Sequence, residues 1–351
     1  MRIGLRCAVA CAVLASAASL SAAPAEKTAG TQILFLGTAG GPPLRFDRSE
    51  PSTLLTVNGR DYLIDCGIGT VRRLVEAGVQ LPLIKTIFFT HLHADHDMGL
   101  ADIMASDVFS RGPEGATDPI HIYGPPQTKE LVDAAFRFVS VGIRPFAAAN
   151  PIQYRSHGGV LVSPFVSHEI AHDGRFFTDD RIAVTAAENS HYVLIPATDR
   201  SRFKSYSYRI ETPDGVIVFS GDTGPSGSIS TIAKGADVLI AEVSYRDPQE
   251  LDQTMSERAA RNHLTAEQIA SFHHHFTAEH LDAAEIGQLA STAGVKAVIL
   301  YHYDPANKAD QAAFVSGVRK YFSGPVFAPD DLDRYCLKSG TVAACGSARR
   351  R

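Results

Sequence analysis

Three imidazoles and a carboxylate fall within six residues in the stretch Thr90-His91-Leu92-His93-Ala94-Asp95-His96-Asp97-Met98-Gly99. Imidazole nitrogen and carboxylate oxygen are the donors that zinc and neighbouring divalent metals favour. His91 and His93, two residues apart, project from one side of an extended segment, while Asp95 and His96 turn toward an adjacent ion as the chain enters a helix. The stretch reads as a share of a two-metal site, in preference to scattered surface histidines. The largely apolar run over 84–89 directly upstream reads as the buried strand that delivers it.

Other elements must bring the remaining donors to this point. Residues 32–37 read as a second buried strand that runs into Thr38-Ala39-Gly40-Gly41-Pro42-Pro43. Those glycines suit a phosphate cradle or a backbone passing close to a site; the second reading is preferred, because no Gly-Lys-Ser or Gly-Lys-Thr follows. Strands over 52–57 and 61–66 join across Asn58-Gly59, a pair that supplies the positive backbone angles of a tight hairpin turn. Periodicity predicts helices over 68–77, 99–109, 127–139, 265–274 and 282–293, and strands over 120–123, 205–211, 215–219, 238–241 and 297–301. From 141 to 204 the pattern is irregular, with His157, His168 and His172, and it is expected to form a cap-like insertion facing the substrate.

The chain has 351 residues, 45% of them hydrophobic, enough to bury a substantial core in one large domain or two smaller ones. A net charge of -5 and a pI near 6.3 give no basic footprint, so an extended electrostatic grip on nucleic acid is not expected. Arg2 and Arg6 precede an apolar run from Cys7 to Leu20, and Ser21-Ala22-Ala23 offers small residues for cleavage. This reads as a signal peptide over 1–23 and predicts a periplasmic or secreted protein. The run is too short and too rich in alanine for a stable membrane span. In an exported chain Cys336 and Cys345 suit a disulfide, and Cys66 suits a small buried hydrophobe. The mature domain is expected over 31–330, followed by a tail over 331–351.

Taken together, these motifs make the sequence resemble the metallo-β-lactamase superfamily of metal-dependent hydrolases, and within it the ribonuclease Z, arylsulfatase and phosphodiesterase-like branch. The resemblance is carried by Phe35-Leu36-Gly37-Thr38, Asp65, the His91 to His96 motif, Asn189-Ser190-His191, Gly221-Asp222-Thr223 and Tyr301-His302. It implies an α/β fold, a four-layer αββα sandwich of two mixed sheets flanked by helices. On matching positions it implies that His91, His93 and His191 hold one metal, that Asp95, His96 and His302 hold a second, and that Asp222 bridges both. The two divalent ions are expected to be zinc, with manganese or iron also compatible with a carboxylate bridge. His168 and His172 compete with His191 for the third imidazole. Asp65 resembles a carboxylate that orients a ligating histidine, the alternative being a strand-ending turn residue.

His280-Leu281-Asp282, 22 residues before His302, matches in spacing a His-x-Thr element of this branch, with Asp282 where threonine is usual. The resemblance implies that His280 stabilises the oxyanion or protonates the leaving group, with His263 as its competitor. His273-His274-His275 reads as a solvated helix end. The implied reaction is hydrolysis by a metal-bridged hydroxide, with Asp95 orienting it or taking its proton. Zinc β-lactamases of the commonest type carry cysteine at the position of Asp222, which argues against a dedicated antibiotic-destroying enzyme. An outward-pointing leader and balanced charge favour a small-molecule phosphodiester or sulfate ester over RNA. A lactone or carboxylic ester is the alternative within the enzyme class, and a metal-binding protein without turnover is the alternative outside it. A homodimer is compatible with the sequence.

Overall fold

The computed structural model describes residues 29–110, 118–152, 156–157, 160–303 and 311–348; the signal peptide expected over 1–23 lies outside them. Apolar segments of the N-terminal half build β1 (Thr31–Gly37), β2 (Ser52–Val57), β3 (Arg60–Ile64), β4 (Thr86–Phe88) and β5 (Ile120–Gly124). Asn58 and Gly59 take φ of 47° and 77°, as the tight turn between β2 and β3 requires. A short ribbon, β6 (Ser156–His157) and β7 (Val160–Leu161), precedes β8 (Phe165–Glu169), which adds itself parallel to β5.

The chain then crosses to a second sheet made of β9 (Gly174–Thr178), β10 (Ala183–Glu188), β11 (Tyr206–Thr212), β12 (Gly215–Phe219), β13 (Val238–Glu242), β14 (Ala297–Tyr301) and β15 (Val326–Phe327). It returns to the first sheet with β16 (Asp333–Lys338) and β17 (Thr341–Ser347). The strand orders are β17-β16-β1-β2-β3-β4-β5-β8 and β15-β14-β13-β12-β11-β10-β9.

Two expected boundaries are corrected here. The stretch over 141–204 does not stand apart as a cap, because β8 closes one edge of the first sheet and β9 and β10 build the edge of the second. Edge strands bury one face incompletely, which weakens the alternation that marks a strand in sequence. Of the expected tail over 331–351, the described residues 331–348 are part of the fold: β16 pairs with β1, and the Cys336–Cys345 disulfide ties β16 to β17.

Helices close both outer faces. On the first sheet lie α1 (Thr70–Glu76), α2 (Ala94–Asp97), α3 (Leu100–Ser110) and α4 (Thr128–Ala149), where Leu74, Ile103, Met104 and Val132 pack on Leu34, Leu36, Ile87 and Ile122. On the second lie α5 (Gly227–Ile232) and, beyond a helical hairpin of α6 (Pro248–Asn262) and α7 (Ala266–Glu279), α8 (Ala283–Ala293) and α9 (Gln311–Arg319). There Ile229, Ile286 and Phe314 pack on Val218, Leu239 and Val298. The inner faces of the sheets meet through Phe35, Leu55, Ile64 and Phe88 against Ile210, Ile217, Phe219, Ile240 and Ile299. Burying each such side chain contributes about 1.5–3 kcal/mol.

The result is the four-layer αββα sandwich that the resemblance implies. α4 runs ten residues past its predicted end despite Gly142 and Pro145, because Ile143 and Ala147 remain buried. Among the described residues no helix is long and apolar enough to cross a membrane.

Candidate metal centre

Strands from both sheets end at one edge, and each ending releases a polar side chain inward. Asp65 follows β3, His91 follows β4, Asp222 follows β12, Glu242 closes β13 and His302 follows β14. Asp65 and His302 take positive φ, 54° and 64°, a conformation that costs a non-glycine residue about 1–3 kcal/mol and recurs at functional sites. A Cβ on Gly40 would lie 2.3 Å from His302 Nδ1, so the glycines after β1 let the backbone pass the site.

The donors form two groups. His91, His93 and His191 offer nitrogens within 4.8 Å of one another, and Asp95, His96, Asp222 and His302 meet the same limit. Asp222 stands between them: Oδ2 is 3.0 Å from His302 Nε2, 3.8 Å from His91 Nε2 and 3.9 Å from His191 Nε2, and Oδ1 is 3.4 Å from His96 Nε2. Nε2 of His91, His96 and His302 and Oδ1 of Asp222 are buried with no hydrogen-bond partner. Each buried polar atom left unpaired costs about 1–3 kcal/mol, and a divalent cation among them removes that cost. The donor set therefore fits metal.

Hydrogen bonds behind the donors aim them. Asp65 Oδ2 is 2.9 Å from His96 Nδ1, and the same carboxylate accepts from Thr90 N and Thr90 Oγ1, fixing the segment that bears His91. His191 Nδ1 donates to the Glu279 carbonyl at 3.0 Å, and Gly41 N donates to Asp95 Oδ2 at 2.9 Å. Burial opposes charge on His96 and His302, but Asp222, with Asp95 adding to it, keeps both pKa values well above the usual. His91 and His191 are held well below it by burial, with neighbouring imidazoles reinforcing the effect. Asp222, although buried, is kept well below the carboxylate range by His302 and His96. The neighbouring imidazoles thus favour the ionised form of Asp222 and Asp95, the form in which a carboxylate binds a cation.

His168 pairs with His121 at 2.9 Å on β8, and His172 is exposed; neither joins the cluster, and His191 does. His263 ends α6 in solvent, whereas His280 is buried within a third group of close donors, with Asp222, Glu242 and His302. The Asp282 departure has a local reason. Its Oδ1 accepts from Glu285 N at 2.7 Å in a capping box at the start of α8, work that threonine also performs.

Sequence reasoning missed Glu242. Wholly buried, it places Oε2 2.8 Å from His280 Nδ1 and accepts from Thr223 N and Ser244 Oγ. Burial opposes charge on His280, yet Glu242 holds its pKa above the ordinary imidazole value. The available signal was a glutamate ending the apolar strand β13. His275 is also no solvated helix end, since it is half-buried and its Nδ1 lies 2.7 Å from Glu279 Oε2.

Two mixed sheets between helical layers, with histidine and aspartate gathered where the strands end, define a hydrolase scaffold of the metal-dependent kind. Residues 60–303, more than half of the chain, match the model of the Beta-lactamase superfamily domain, and the chain belongs to that family of metallo-β-lactamase-like hydrolases. Among curated relatives, ribonuclease Z of Mycobacterium avium (strain 104) is 28% identical over 314 residues, covering 86% of this chain and 97% of the relative. Human tRNase Z, short form, superposes with a TM-score of 0.60 at 20% identity, covering 87% of this chain and 99% of that one. Zn(2+)-bound PqqB from Methylobacterium extorquens does so with a TM-score of 0.55 at 15% identity, covering 86% and 98%.

The relatives correct one expectation from sequence. Ribonuclease Z acts on RNA, against the reading of a small-molecule ester substrate with no strong nucleic-acid footprint. A net charge of -5 averages the whole surface, whereas a phosphodiester needs positive potential only at the centre that binds it.

Proposed function

We propose that this chain is a binuclear metal-dependent phosphodiesterase that cleaves RNA, and that it works outside the cytoplasm. The observation that carries the reading is the convergence of two donor groups sharing Asp222 beside an imidazole backed by a buried carboxylate. The RNA substrate is supported by the ribonuclease Z relatives, which align over most of the chain. Export is supported by the leader over 1–23 and by the Cys336–Cys345 disulfide, a bond that persists in oxidising compartments.

His91, His93 and His191 would hold one divalent ion and Asp95, His96 and His302 the other, with Asp222 shared. Zinc suits this donor set, and manganese or iron also fits it. Bound there, the ions supply Lewis acidity to the phosphoryl group and acidify water. Asp95, oriented by Gly41 N, directs the attacking water and accepts its proton. His280 gives Nδ1–H to Glu242, so Nε2 is the edge left to protonate the departing oxygen, and the Glu242 carboxylate stabilises the imidazolium before transfer.

A parallel assay of metal-quantified protein on an RNA oligonucleotide, an activated aryl phosphodiester, an aryl sulfate, a lactone and a β-lactam tests this reading. RNA and the phosphodiester are expected to be cleaved; lactone or sulfate turnover with both phosphodiesters silent overturns it. For export, mass spectrometry of the protein recovered outside the cytoplasm should show a mature chain beginning at Pro24. An intact leader on cytoplasmic protein contradicts that part.

A further inference from the structure

The α6–α7 hairpin occupies the chain between Glu242 and His280, the two members of the buried pair. Its own core is small, built on Tyr245, Leu251, Met255 and Phe276. His274 faces solvent and His273 Nε2 lies 3.2 Å from the exposed Asp252, but His275 turns the other way. The His275 ring lies 5.0 Å from the His280 ring, edge to face, and 6.4 Å from that of His191. Its side chain remains 37% exposed, so it stands where the buried centre meets solvent.

Glu279 fixes that ring from a buried position. Its Oε2 is 2.7 Å from His275 Nδ1, its Oε1 accepts from Leu194 N at 3.0 Å, and its carbonyl accepts from His191 Nδ1 at 3.0 Å. One residue therefore anchors His275, the loop after His191 and a metal-centre imidazole. An i,i+4 pair that merely supported α7 would have no need to bury its carboxylate. With Nδ1 paired to Glu279, Nε2 is the ring nitrogen left for a ligand, and a hydroxyl can pair with it as donor or as acceptor.

We infer that His275 is a substrate-binding residue whose Nε2 hydrogen-bonds a ribose hydroxyl of the nucleotide beside the scissile phosphate, on the leaving-group side. The inference rests on the RNA-cleaving function proposed for the same centre. The hairpin is then the element that selects ribose, because the 2′-hydroxyl is what separates RNA from DNA at a given position. Glu279 acts through His275 as a positioning residue.

The test is equilibrium binding to the full, metal-loaded protein of a dinucleotide analogue with a methylene group in place of the bridging leaving oxygen, in ribo and 2′-deoxy forms. Wild type is expected to favour the ribo form about tenfold, the ratio one good hydrogen bond supplies. His275→Ala should collapse the ratio toward one by weakening ribo binding alone, with metal content unchanged. His275→Gln, which keeps a side chain able to hydrogen-bond a hydroxyl, should restore part of it. A ratio unaffected by His275→Ala overturns the inference, as does equal weakening of both forms or loss of metal. Wild-type turnover of the activated aryl phosphodiester reports separately on the functional reading, since its absence sinks the phosphodiesterase and leaves the ribo-to-deoxy ratio as a test of His275.

Discussion

Between His91 and His96 four donors enter the centre within six residues, whereas Glu242 and His280, 2.8 Å apart, are separated by 38 residues and a helical hairpin. In the first region a strand end and one turn of helix fix the geometry, so local spacing is nearly the whole of it. In the second, geometry exists only after β13, α7 and α8 have packed. The donors proposed to hold metal are thus partly local, with His191, Asp222 and His302 joining them from distant segments, whereas the pair proposed to serve the leaving group is wholly tertiary. Substitutions should separate the two.

The largest effect is expected where both regions meet. Asp222→Ala removes the carboxylate shared by the donor groups and should lower phosphodiester turnover by at least about a thousandfold while releasing metal, read by rate and by elemental analysis. Breaking the second region alone is milder. Glu242→Gln should leave metal content intact and lower kcat about a hundredfold, the scale of one general acid, with little change in KM. If Glu242→Gln also emptied the centre, the regions would not be separable.

Breaking the support of the first region should show the converse. Asp65→Asn is expected to weaken metal affinity about 10–100-fold, and excess metal should restore turnover. The smallest effect concerns Glu50, buried beside Gly67 and Ile68 near the end of the same region. Burial, reinforced by Asp95 and Asp97 and opposed by its hydrogen bond from Ile68 N, pushes its pKa up to about 7. A raised carboxylate pKa means the folded protein binds the extra proton, so stability falls as pH rises from the unfolded value of 4.5 toward 7. In metal-stripped protein Glu50→Gln should therefore match wild type near pH 4.5 and exceed it at pH 8 by about 1–2 kcal/mol, allowing for solvent screening, as denaturant titration would show.

The contrast between the regions also explains what the sequence disclosed. The His91 to His96 motif, the turn at Asn58-Gly59 and the fully buried strands β13 and β14 carry their geometry in local pattern. β8 and β9 do not, since edge strands with half-exposed faces lack clean alternation, and β10, Ala-Val-Thr-Ala-Ala-Glu, carries one large apolar residue only. α4 outlasts Gly142 and Pro145 because tertiary burial outweighs propensity. Glu242 was invisible for a related reason: nothing in its neighbours announces a histidine 38 residues away. The RNA-directed relatives corrected the substrate expectation because net charge is a sum over the surface and the substrate meets only part of it.

The central claim is that two ions act together at the Asp222 centre to cleave RNA. Adding zinc stepwise to metal-stripped protein while following cleavage of an RNA oligonucleotide tests it most directly. The expected result is cleavage that stays low through the first equivalent and rises to its maximum with the second, in wild type and not in Asp222→Ala. Full cleavage at one equivalent, or an RNA left intact at any zinc loading, would contradict it.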